Sequence, residues 1–160
     1  MQAHRHLALA ASLLGALSCG PYRNIPAGDV SAADVASSHR WHAALNRAAG
    51  SEGASQLDGW AALAPDSVTG ATAAFLSVYD AEPGSVHTWE VRRGRCGADE
   101  GAFGPIEAYK PIAAGSDGRA TVLTSVPLRT PTTGSYFVNV HGSGGDPRVV
   151  ACGEFTLPAE

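Results

Sequence analysis

Val86-His87-Thr88-Trp89-Glu90-Val91-Arg92-Arg93-Gly94-Arg95-Cys96 is the stretch on which the reading of this chain turns. Valine, threonine and tryptophan favour a pleated strand, in which side chains point alternately to opposite faces. Trp89 and Val91 then share one face, suited to a core, and Glu90 and Arg92 share the other. Residues two apart on a strand are ~6.6 Å apart along the chain, so these two long side chains can meet. The competing reading is that both are solvated and make no defined contact, in which case they add little stability.

The same period continues outward in both directions. Tyr136-Phe137-Val138-Asn139-Val140-His141 reads as a strand, and Val149 to Leu157, which includes Ala151-Cys152-Gly153, as the last one. Upstream, Trp41, Ala43 and Leu45 fall on one face of a strand over 40–46. A helix over 33–49 is the rival there, because alanine favours helices, but it gives Trp41 and His42 no clear stripe. Leu57 to Ala64, Gly70 to Tyr79 and Arg119 to Val126 are further strands, with a turn over 80–84. Cys96 to Gly118, rich in glycine and proline, reads as a long irregular connection. About seven or eight strands with closely spaced turns predict an all-β sandwich or barrel.

The N-terminus has the layout of an export signal. His4, Arg5 and His6 form a basic start, and Leu7 to Leu17 is an uncharged apolar run of 11 residues. That is too short for a spanning helix, which needs ~20. Small residues follow, so residues 1–18 read as a signal peptide. Signal peptidase would accept Ala16 and Ser18. A lipoprotein peptidase would cut before Cys19 and leave that cysteine to carry acyl chains, although Ala16 stands where a lipobox has a bulky aliphatic residue. Three cysteines in an exported chain leave one over. Residues 19–38 read as a flexible tether and 39–160 as the folded unit. Without Arg5 the chain carries 10 basic and 15 acidic residues, a net charge of −5, which argues against a general nucleic-acid binder.

From about residue 40 to 157 the chain resembles the copper/zinc superoxide dismutase-like family. The resemblance rests on the strand ending before Cys96, the Val138-Asn139-Val140-His141 strand and the late Ala151-Cys152-Gly153. It implies a Greek-key β-sandwich or barrel of about eight strands, with one intradomain disulfide between Cys96 and Cys152. Cys19 is then the leftover cysteine, at the lipidation junction. A cross-link closing more than fifty residues contributes on the order of 4 kcal/mol in the chain-entropy model.

The resemblance also locates the chemistry, and the residues depart from it. The family's copper ligands fall on Glu90 and Arg92, and arginine is a permanent cation that repels a metal. The connection from Cys96 to Gly118, where the family keeps its bridging and zinc histidines, contains no histidine. His141 alone matches a ligand position. Glu90 and Arg92, with His141, are therefore the residues expected to fill a vacated metal site, with no catalytic residue and no cofactor. A protein that binds copper or zinc through His141, or a residual dismutase, is the alternative.

Other features are less specific. Arg92, Arg93 and Arg95 form a basic cluster that suits an anionic partner or simply a solvated strand end. No Gly-x-Ser-x-Gly or His-Glu-x-x-His motif is present. The expectation is a non-enzymatic, exported, lipid-anchored module of the periplasm or cell envelope. It would serve as a binding or accessory subunit of a membrane-associated envelope protein complex, with strand edges and the 96–118 connection as contact surfaces.

Overall fold

The computed structural model describes residues 41–51 and 57–157. The expected signal peptide, the lipidation site Cys19 and the tether 19–38 lie outside the described residues. Strand β1 (Trp41–Arg47) buries Trp41, Ala43 and Leu45 and exposes the residues between them. Period two therefore decides this segment, and the strand forms where alanine content alone favours a helix. It pairs with β2 (Asp58–Pro65), which pairs with β3 (Thr72–Tyr79). The chain then crosses to a second layer for β4 (Val86–Arg95), β5 (Ala98–Ala102) and the two-residue β6 (Ile112–Ala113). It returns to lay β7 (Ala120–Val126) beside β3, then crosses again for β8 (Tyr136–Ser143) and β9 (Val149–Glu154).

All pairings are antiparallel, in the order β5-β4-β8-β9-β1-β2-β3-β7, with β6 on the outer edge of β4. This is a Greek-key path, and the sheet curls into a half-barrel. Its two layers join along a short seam, where β1 and β9 pair through Asn46 with Cys152 and Arg47 with Ala151. Both layers contribute to one main apolar core. Trp41, Leu63 and Leu76 come from one layer, and Trp89, Val91 and Val140 from the other. Buried indoles need partners for their N–H groups. Trp89 donates to the Lys110 carbonyl at 2.8 Å and Trp41 to the Pro131 carbonyl at 2.7 Å.

The stretch 96–118 departs from the irregular connection expected of it. It holds β5, a 3-10 turn (Ile106–Ala108) and β6, which makes nine strands among the described residues. Phe103, Tyr109, Ile112 and Ala114 from this stretch are buried in the main core. The Trp89 and Tyr109 rings meet edge-on at 5.1 Å, and the Tyr109 hydroxyl donates to the Phe103 carbonyl at 2.6 Å. Burial pushes the Tyr109 hydroxyl above its ordinary range. The connection thus closes the open side of the barrel, which is why it needs apolar anchors at intervals.

Candidate functional site

The site lies on the outward face of β4 and β8, behind Trp89 and Val91. Glu90 stands opposite Asn139 in register, and Arg92 opposite Phe137. The register shifts between Val140 and His141 on the β8–β9 side. A second irregularity lies at the β4–β5 hairpin, between Arg92 and Gly94. Gly94 has φ +100°, and a Cβ there would lie 2.2 Å from the Ala98 carbonyl oxygen. Glycine is required for the hairpin to close this tightly, and the closure brings Asp99 back to Arg92.

Glu90 is 6% exposed although it faces away from the core. His141 Nε2 lies 2.8 and 3.0 Å from its two carboxylate oxygens, and Arg92 Nη1 lies 3.5 Å away. The other histidine nitrogen, Nδ1, lies 2.8 Å from the Pro147 carbonyl oxygen. A carbonyl oxygen only accepts, so Nδ1 carries a proton. Nε2 faces the Glu90 carboxylate, so the site suits the protonated ring, which donates from both nitrogens. The hydrogen bond to Glu90 holds His141 above its ordinary pKa, helped by the Pro147 carbonyl and the Glu90 charge and opposed by burial and by Arg92.

Arg92 serves two acids. Its Nε and Nη2 reach Asp99 Oδ2 at 2.8 and 2.6 Å. That hydrogen bond raises the guanidinium further and draws the Asp99 carboxyl below its usual range. The chain of contacts therefore runs His141–Glu90–Arg92–Asp99 across β8, β4 and β5. Glu90 and Arg92 do meet, as one of the two sequence readings had it, and His141 joins them. Asp99 was not foreseen. The available signal was an acid just beyond the cysteine turn, where a hairpin would set it against β4.

The β8–β9 turn supplies the Pro147 carbonyl. Gly142 lets the turn fold back, since a Cβ there would lie 2.7 Å from the Asp146 carboxylate. Asp146 accepts from the Arg148 backbone N–H at 3.0 Å and from its guanidinium at 2.6 Å, which lowers the Asp146 carboxyl. His87 backs the arrangement from the neighbouring strand. Its Nδ1 donates to the His141 backbone carbonyl at 2.8 Å, and its Nε2 lies 2.9 Å from the Ser85 hydroxyl.

The donor set does not fit a copper or zinc ion. The His141 nitrogens both face internal acceptors, and a guanidinium sits beside the carboxylate, where a second ligand would be needed. Among the described residues, no three histidine, cysteine, aspartate or glutamate groups are placed to hold a metal.

Cys96 and Cys152 are bridged, with Cα atoms 6.1 Å apart and a sequence separation of 56. The bridge passes from the β4–β5 turn over β8 to β9, so it staples three strands on the outward face. Phe137, on β8, is 1% exposed, though it belongs to neither apolar cluster. A bridge of this kind persists in oxidising compartments, which points outside the cytoplasm. Among the described residues no helix is long and apolar enough to cross a membrane.

Neither a scan against protein-family models nor a search of curated proteins finds a match. Among solved structures, the chain is similar to a point mutant of an SOD-like protein from Bacillus subtilis. The TM-score is 0.50 at 15% identity, covering 70% of this chain and 95% of that one. At such identity the likeness is one of fold. The class that the topology and this neighbour define is a superoxide dismutase-like β fold.

Proposed function

We propose that this protein is a non-catalytic dismutase-like module, exported and held at the cell envelope, that acts as a binding or accessory subunit of a membrane-associated complex. One observation carries the non-catalytic part: Glu90 is engaged by His141 and Arg92 together, so the residues at the family's ligand positions satisfy one another. A buried carboxylate with two cationic partners is a closed electrostatic unit. A divalent ion entering it would have to displace a guanidinium and deprotonate His141. The disulfide supports the exported part, and lipidation of Cys19, part of the same proposal, would supply the membrane attachment.

The test is affinity purification of the full chain from detergent-solubilised envelopes, with metal content measured on the same sample. The expected result is a stoichiometric envelope protein partner and no stoichiometric copper or zinc. Tight copper or zinc at one per chain, with superoxide consumption that disappears on chelation, would overturn the reading in favour of a dismutase.

A further inference from the structure

A cleft of about 850 Å³ lies between the β4–β5 turn and the chain leaving β1, within the ~300–1,000 Å³ of small-molecule sites. Its floor is a row of side chains in cross-strand register. Asn139 on β8 faces Cys152 on β9, and Cys152 faces Asn46 on β1. Ala44, Phe137, Val149 and the Cys96–Cys152 bridge give it apolar walls.

The charges lining the cleft are unevenly satisfied. Asp99 is held by Arg92 at 2.6 Å, and Glu154 faces Arg95 at 3.4 Å. Both acids thus have cationic partners within the protein. The Arg47 guanidinium, at the end of β1, makes no ion pair or hydrogen bond among the described residues, and neither does the Asn139 carboxamide. The cleft therefore offers one uncompensated guanidinium, one unengaged amide and an apolar wall. A guanidinium presents a planar fork of donors that matches a carboxylate. Apolar walls favour a hydrocarbon stem, whose transfer from water contributes ~0.8 kcal/mol per buried methylene.

We propose that this cleft binds a small amphipathic carboxylate. Its carboxylate sits on Arg47, its stem lies along Ala44, Val149 and the disulfide, and Asn139 takes any polar substituent. The proposal stands apart from the accessory-subunit reading, because it requires neither a protein partner nor the absence of a metal.

The probes are hexanoate, hexylammonium and hexanol, titrated into the 15N-labelled full chain. Hexanoate should give saturable shifts at the Asn139 and Asn46 side-chain amides, and the other two probes should not. Arg47 is exposed, so Arg47→Glu should keep the fold, checked by far-ultraviolet circular dichroism, and lose the hexanoate shifts. Arg47→Gln, which keeps a donor without charge, should weaken hexanoate about tenfold, the loss of one charge-assisted contact. Three results would each overturn the proposal: no saturable hexanoate response, equal responses to hexylammonium, or a response undiminished in both Arg47 variants.

Discussion

The two layers of the half-barrel share one inward core, but their outward faces are built from different materials. On β1–β2–β3–β7, Ala62, Ala64, Ala73 and Phe75 form a second apolar cluster, with Trp60 and Leu123 packed against it. His42 stacks on Trp60 at 5.5 Å and Trp60 lies 4.6 Å from Phe75. On β5–β4–β8–β9 and its turns lie the five ion pairs between described residues, together with the disulfide. An apolar face is held by area removed from water, so each residue contributes nearly alone. Where the polar face is buried, around Glu90, it is held by mutual satisfaction, so removing one group strands its partners. The contrast separates what the fold needs from what the charged network on β4 and β8 does.

Removing the staple is the largest expected perturbation of the polar face. Cys96→Ala with Cys152→Ala should lower the free energy of unfolding by about 4 kcal/mol, as expected for a cross-link closing a loop of this length. Urea denaturation with and without reductant reads this directly. Equal midpoints would mean that the ion pairs alone hold β5 to β9. On the apolar face, Phe75→Ala removes a ring that is 3% exposed and should cost about 3 kcal/mol, with no change in the pH dependence of stability. A pH-dependent loss there would break the distinction between the faces.

Glu90→Ala should cost about 2 kcal/mol, because His141 and Arg92 lose their shared anion in a largely buried setting. Its signature is the pH profile. Glu90 and the Pro147 carbonyl raise the His141 pKa in the folded state. The stabilisation is therefore complete below the ordinary histidine value and fades as pH rises through the raised folded value. Urea midpoints of the parent protein should fall across that window, and those of His141→Gln should not. Ring-proton titration by NMR should place the His141 midpoint above 6.5, the ordinary value. A midpoint at or below it would remove the imidazolium assignment. The smallest effect belongs to Arg95→Ala. Arg95 and Glu154 are 3.4 Å apart and both exposed, so the change should stay within about 0.5 kcal/mol.

Period two alone showed β1, β4 and β8, because Trp41, Trp89 and Val140 each fall on a face that must be buried. The same rule placed Glu90 and Arg92 together on the opposite face. The resemblance to dismutases supplied the pairing of Cys96 with Cys152, which the structure contains. Ala98–Ala102 escaped notice because Ala-Asp-Glu-Gly-Ala has low strand propensity, and it becomes a strand only through the neighbour it pairs with. Asp99 was hidden with it. Arg47 and Asn139 carried no local signal, since a cleft is made by elements far apart in sequence.

Alternation of side chains is a local property of a strand, so the order of residues was enough to settle an all-β architecture and the side of β4 on which its charges stand. Which charge meets which depends on register, and register comes from bulges, the Gly94 hairpin and the return of the β8–β9 turn. These link His141, Glu90, Arg92 and Asp99 from three strands in one chain of contacts. Burial around Glu90 makes its charge depend on its neighbours, and that dependence exists only in the folded chain.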